Sequence, residues 1–352
     1  MTRTESVIGA PHRPRIAVGV FILASVAALI LSVGVGSVTV SPDRIITVIA
    51  DHLLPWTIPT SATDIETRII WEFRLPRALL GFVVGAALAV AGAVLQAVVR
   101  NPLADPFVFG VSSGASVAAV ATLTLATGAL AVVSVPIAAF AGALATTLIV
   151  FLLAQQRGRV TPNRLVLAGV AMSYLLSSIT SYLVLRASSP GEGVTSVLSW
   201  LSGSLAAAEW DGLGLPSAVL VITIAVLVLL ARVLNAFLVG DETAASLGID
   251  VGRVRLVLFV ITSLLVGVVV AVSGAIGFVG LVVPHAMRMI VGSDHRWLLP
   301  SSALAGGLLL VVVDIVARTV LAPTELPVGL LTAAIGAPFF LWLLRRSGRS
   351  AT

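Results

Sequence analysis

Four short groups of residues carry side chains whose types and spacing could do chemistry. Gly110-Val111-Ser112-Ser113-Gly114 matches Gly-x-Ser-x-Gly, the turn that presents a serine hydrolase nucleophile. That turn needs a strand before it and a histidine base beside it. Here the segment follows Pro106 and opens an apolar helix, and of the histidines only His285 lies near a membrane face. Small-residue packing explains the match, with an intramembrane hydrolase as the competing class, tested at Ser112 and Ser113. Asp314 and Arg318 are four apart and can pair on one helix face. A charge inside lipid is costly and is usually paired or functional, so an intramembrane ion pair is expected there. Arg74-Leu75-Pro76-Arg77 sets two guanidinium forks three apart, with Pro76 fixing the backbone at a helix start. They serve as headgroup anchors or as receptors for carboxylates of an external partner, and Arg318 could join them.

The fourth group is the polar island 239–255 between two long apolar runs. Asp241 suits the N-cap of a short helix, Glu242 its first turn, and Gly248 its left-handed stop. Ala244, Ala245 and Leu247 give that helix a partly apolar surface. The island holds no nucleophile–base pair and no metal cluster. It is an ordinary amphipathic connector or a small rigid docking surface, and its capped ends and apolar bearing face favour docking. No catalytic residue and no resident metal are expected in the chain.

These groups sit in a chain that lipid must solvate. Of 352 residues, 58% are hydrophobic and only 11% charged, against about 25% charged in soluble domains. All 21 basic residues are Arg. Without Lys there is no phosphate-binding loop ending in Gly-Lys-Ser/Thr and no Schiff-base chemistry. Without Cys there is no disulfide or thiolate chemistry. The net charge of +5 is scattered between apolar runs and forms no basic face, which argues against nucleic acid. A bare-metal transporter would need a His/Asp/Glu cluster in the membrane, and beyond Asp314 there is essentially none. What crosses is expected to carry its own coordination.

Apolar runs long enough to span, or nearly so, lie at about 16–36, 78–98, 107–127, 130–153, 165–186, 213–233, 254–274, 276–292, 298–319 and 327–344. The eighth is short and holds Pro284. The first follows Arg3, Arg13 and Arg15 and reads as an uncleaved helix rather than a signal peptide. With the N-terminus in the cytosol, fifteen Arg fall inside and six outside, as the positive-inside rule requires. The expected fold is an all-α polytopic membrane protein with about ten transmembrane helices and both termini cytosolic. Residues 1–15 and 347–352 form short tails around one transmembrane domain, 16–346, whose 240–255 loop faces the cytosol. Long outer connections fall at 37–76 and 187–212, and the apolar stretch 194–208 lies on the membrane or re-enters it. Gly81, Gly85, Ala89 and Gly92, and Gly274, Gly277 and Gly280, offer small faces for close helix approach.

Taken in order, Arg74-Leu-Pro-Arg77, Gly85 to Gly92 with Leu95-Gln96, Asn101-Pro-Leu-Ala-Asp-Pro106 and Gly240 to Gly248 resemble the FecCD-type permeases of bacterial ABC importers. So do Gly277 to His285 with Arg288, Asp294-His-Arg296, Asp314 to Arg318, Glu325 to Gly329 and Gly336-Ala-Pro338. The likeness runs from about residue 16 to 346. It implies a permease subunit in the bacterial inner membrane for a ferric siderophore or similar chelate, with cobalamin or haem as alternatives. It implies a second permease subunit, identical or paralogous, and two cytosolic ATPases that bind ATP and magnesium, so this chain needs no cofactor. It implies ATPase docking at Asp241, Glu242, Ala244, Ala245, Leu247 and Gly248. An external binding protein would present carboxylates to Arg74, Arg77 and Arg318. The alternative of another class is a secondary transporter driven by an ion gradient, for which Asp314 is thin support.

Overall fold

The computed structural model describes residues 13–36, 39–54, 62–125, 134–156, 159–186 and 192–348. Most of both expected tails, with Arg3 and Arg349, lies outside them. The chain runs α1 (Arg13–Gly34), α2 (Pro42–Leu53) and α3 (Asp64–Arg68), then through a π-helical turn, Ile69–Arg74, into α4 (Leu75–Val99). A 3₁₀ turn, Pro106–Phe109, leads to α5 (Val111–Leu125), followed by α6 (Val135–Ala154) and a two-residue hairpin of β1 (Gln155–Gln156) and β2 (Arg159–Val160). Then come α7 (Pro162–Arg186), α8 (Glu192–Leu201), α9 (Gly214–Leu229), α10 (Ala231–Val239) and α11 (Asp241–Ser246). The chain ends with α12 (Val251–Ser273), α13 (Val279–Val291), α14 (His295–Thr319) and α15 (Val328–Gly348). Among the described residues, seven helical stretches are long and apolar enough to cross a bilayer. Three shorter apolar helices, Val111–Leu125, Val279–Val291 and Val328–Trp342, accompany them.

The helix α4 is the hub, packed against α14, α12 and α13. Every residue from Val83 to Val99 is buried. Its small residues permit this. A Cβ on Gly85 would come within 2.2 Å of the Gly306 carbonyl oxygen, and one on Gly92 within 1.9 Å of the Gly280 oxygen. In lipid, where water exclusion between helices is weak, such close backbone approach is what holds a bundle together. Gly274, Gly277 and Gly280 behave differently from the expected small face. Gly274 ends α12 in a conformation open to glycine (φ +67°), the chain leaves the helix until Phe278, and only Gly280 lies in a helix. The reason is coverage by protein. Residues 200–204 lie over this break, with Ser204 N–H donating to the Ser273 oxygen (2.9 Å), so its backbone is not left bare to lipid.

That contact also answers the 194–208 stretch. It forms α8, then turns into the bundle, where Leu205 is fully buried near Gly81. By contrast α1 and α6 turn outward rows of bare aliphatic side chains, among them Ile16, Leu23, Leu148 and Leu152, suited to lipid. The C-terminal ends of α1 and α14 meet the start of α4 at one end of the bundle. α11 lies at the other, beside the start of α12.

Candidate functional site

At the α1/α4/α14 end, the three expected arginines line one cavity, two of them paired with Asp314. Asp314 is 1% exposed. Arg77 approaches its Oδ1 with Nε (3.0 Å) and Nη2 (2.9 Å). Arg318 Nε lies 3.1 Å from Oδ2, although its N–H points toward the Asp314 carbonyl oxygen (3.4 Å), so this contact is an ion pair without hydrogen-bond alignment. One carboxylate thus serves two cations, not the single i,i+4 partner expected. The other guanidinium groups are also occupied. Arg74 donates to the Val33 oxygen (2.8 Å), and Arg318 to the Ser32 oxygen (3.0 Å), the Ser32 Oγ (2.9 Å) and the Val35 oxygen (3.3 Å). Apart from the Ser32 hydroxyl, these are carbonyls of the last turn of α1 and just beyond, which lack helical donors and sit at the negative end of the helix dipole. Two arginines therefore cap α1. Gly36 makes room, since a Cβ there would fall 2.4 Å from Arg74 Nη2. Arg74 sits at the last residue of the π-helical turn.

Glu325, which sequence reasoning named only within a motif, completes the group. Its Oε2 accepts from Arg77 Nη1 at 2.8 Å. The arginines and Glu325 line a cavity of about 690 Å³ together with Phe73, Ala206 and Pro323.

At the opposite end, Gly240 (φ +135°) occupies the N-cap of α11 and no side chain caps it. This corrects the expectation for Asp241. Its carboxylate turns instead to Arg255, with both oxygens 2.9 Å from Nη2. The reason is competition: a charge-assisted bond to a buried cation outweighs a bond to one backbone N–H. Arg255 is 4% exposed and also donates to the Val160 oxygen of β2 (3.0 Å), while Arg100 Nη2 stands 3.8 Å from Asp241 Oδ2. Neither Arg255 nor Arg100 was singled out from the sequence. An arginine inside an otherwise apolar helix start was the available signal. Gly248 stops the helix in the left-handed conformation (φ +81°), with Gly248 N–H to the Ala245 oxygen (2.9 Å) and Ile249 N–H to the Ala244 oxygen (3.2 Å). Ala244 is fully buried, so it anchors α11 to the bundle and is not part of a bearing surface. The exposed face is Glu242, Thr243, Ala245, Ser246 and Leu247, with Leu247 67% exposed.

Two further features join α4 to α13. Gln96 Nε2 donates to the Gly280 oxygen (3.2 Å), and Arg288 donates to Gln96 Oε1. The Gly-x-Ser-x-Gly segment forms no elbow. A 3₁₀ turn precedes it rather than a strand, Ser112 is buried, and Gly114 lies against α6, where a Cβ would meet Thr146 Oγ1 at 2.0 Å.

The FecCD transport family profile matches residues 23–346. The chain belongs to the FecCD transport family. Similar proteins include the cobalamin import system permease protein BtuC of Halobacterium salinarum, 48% identical over 79% of this chain and 73% of that one. The hemin transport system permease protein HmuU of Yersinia pestis is 44% identical over 82% and 86%. The Fe(3+)-citrate import system permease protein YfmE of Bacillus subtilis is 36% identical over 96% and 97%. A solved structure described as an inward-facing conformation of an ABC transporter of metal-chelate type superposes with a TM-score of 0.81 at 31% identity, covering 95% of this chain and 99% of that one. The FecCD chain is thus a multi-pass permease subunit of an ABC importer, a family that works with an ATPase and a substrate-binding protein. That sets aside the ion-gradient transporter and the hydrolase.

Proposed function

We propose that this permease carries an intact metal chelate along the face of α7, in a path closed by a second permease subunit. One observation carries this reading. The face α7 turns away from the bundle holds Tyr174, Ser178, Ser181 and Tyr182 among leucines, with Tyr174 74% exposed. The serine hydroxyls are satisfied within the helix, Ser178 donating to the Tyr174 oxygen (3.0 Å) and Ser181 to the Ser177 oxygen (2.9 Å), so the cost of facing lipid would fall on the hydroxyls of Tyr174 and Tyr182, whereas the outward rows of α1 and α6 are aliphatic. Beside this face a crevice of about 540 Å³ is lined by Ser113, Ser116, Ser177, Thr180 and Ser181 with Val184, Leu185, Leu198 and Leu201. Between Arg164 and Arg186, α7 has no charged residue. Neutral hydroxyls cannot replace the hydration shell of a bare cation, but they can pass a ligand whose metal is already coordinated. The relatives that handle ferric citrate, hemin and cobalamin fit that class, and a ferric siderophore belongs to it.

On this reading the ten apolar helices cross a bacterial inner membrane, with both ends and α11 in the cytosol. Residues 16–346 form one permease domain between two short tails. α11 docks an ATPase through Glu242, Ala245 and Leu247, held in place by Asp241, Ala244 and Gly248. ATP and magnesium belong to that partner. Coupling then requires that the ATPase grip α11 differently in its two states. The Arg74, Arg77 and Arg318 group faces outward and receives carboxylates of the binding protein. Because the chain has no native cysteine, the pathway can be read directly. Single cysteines at Ser178 and Tyr182 in the assembled importer should react with a water-soluble maleimide and be shielded when a chelate is trapped. Leu148→Cys on α6 should stay unlabelled. Equal inertness of all three would remove α7 from the path.

A further inference from the structure

The two sides of Arg77 are held by different acids. Asp314 grips Nε and Nη2 from within and is 1% exposed, so no incoming group can reach it without dismantling the helix end. Glu325 grips Nη1 from the cavity side at 2.8 Å and is 43% exposed. It sits in the short connection between α14 and α15, which is pinned by Leu326 N–H to the Ala317 oxygen (3.0 Å). The cavity it lines is the one the three arginines share. Three guanidinium groups, those of Arg74, Arg77 and Arg318, against the two carboxylates of Asp314 and Glu325 leave this cluster with a formal charge of +1.

We propose that Glu325 is an internal stand-in for the partner's carboxylate: it occupies Arg77 while the binding protein is absent and is displaced when the protein docks. This rests on the reading that the arginine group receives carboxylates of the external binding protein. The chemistry is an exchange of one exposed carboxylate for another on the same fork of a fixed guanidinium. Asp314 keeps Arg77 in position throughout, so exchange needs no movement of α4. The competitor sets a limit on affinity. Without it the site would hold its partner longer, and a binding protein that has delivered its cargo must leave. Glu325 thus supports release as well as occupying the empty site.

The test uses the complete importer in nanodiscs and its own binding protein, measured without chelate at low salt. Glu325→Gln should tighten binding by about two- to fivefold, the range an exposed ion pair supplies, mainly through slower dissociation and with a steeper salt dependence. Glu325→Asp, which keeps the charge, should bind like the native protein. Glutamine and asparagine replacements on the binding protein's own docking face avoid disturbing the permease and should erase the gain of Glu325→Gln. If Glu325→Gln binds equally or more weakly while those partner replacements still weaken binding, Glu325 merely orients Arg77 and the stand-in role is wrong. If the partner replacements have no effect on native binding and salt does not weaken it, the carboxylate-docking reading itself is lost. Retained co-purification of the ATPases and an unchanged melting curve show that each variant is assembled.

Discussion

Asp105 shows what burial does to a single group. It sits at the α4–α5 turn, 7% exposed, and its Oδ1 accepts from Phe107 N–H (2.8 Å) to cap the 3₁₀ turn. No salt bridge to it occurs among the described residues, and burial pushes its carboxyl pKa up to about 6, the Phe107 bond only partly opposing this. The folded-state value lies above the unfolded one, so the stability it contributes is full below about pH 4 and is lost as pH rises through about 6. Asp105→Asn keeps the acceptor and deletes the charge. At pH 7.5 it should therefore raise unfolding free energy by about 3 kcal/mol, and the gain should shrink as pH falls toward 4. Melting temperatures in detergent across pH 4–8 measure this, and parallel curves for the two proteins would refute a buried charge. The sequence shows Asp105 as one more polar residue in an Asn-Pro-Leu-Ala-Asp-Pro turn. Its enclosure depends on α13, where a Cβ on Gly280 would lie 2.9 Å from Pro106, and local spacing does not report that contact.

At the scale of elements, α11 divides into residues that fix it and an exposed face left for a partner. Ala244 by burial, Asp241 by its bond to Arg255 and Gly248 by its left-handed stop belong to the first, and Glu242, Ala245 and Leu247 to the second. The sequence made the ends of this helix legible because cap and stop residues act locally. It misassigned the role of Asp241 because Arg255 is fourteen residues away and reaches it only through the packing of α12. Ala244 was misplaced for a related reason: six residues are too few for an apolar period to say which face is inward. Leu247→Asp changes only the exposed face. We expect permease yield and melting temperature close to native, since surface changes are usually worth within about 0.5 kcal/mol. Co-purified ATPase should fall by about tenfold or more, as for loss of a central apolar anchor. Undiminished ATPase recovery, or uptake that persists at the native rate, would place the docking contact elsewhere.

For the whole molecule, the apolar runs announced most helices within a few residues, because lipid imposes one simple rule on every span. What they did not announce is the helical stretch Asp64–Arg74 that extends α4, or that the gap between the runs 254–274 and 276–292 is an unwound stretch reaching Phe278, since both depend on protein covering irregular or polar backbone. The glycines give the sharpest case. Gly81, Gly85 and Gly92 look equivalent in sequence, yet their surroundings differ. A Cβ at Gly92 meets a backbone oxygen of α13 at 1.9 Å, whereas one at Gly81 meets the tip of Leu205 at 3.1 Å, and one at Gly19 meets nothing within 4 Å. A side-chain tip can rotate away, but a backbone carbonyl moves only if two helices separate, which also strains the Gln96 bond to the Gly280 oxygen. Gly92→Ala should thus cost about 3 kcal/mol and yield a poorly monodisperse protein, while Gly81→Ala should cost less than about 1 kcal/mol and Gly19→Ala should be neutral. Melting curves and size-exclusion profiles of the three variants decide the matter. If Gly92→Ala melts with the other two, α4 is not the hub around which α12, α13 and α14 are assembled.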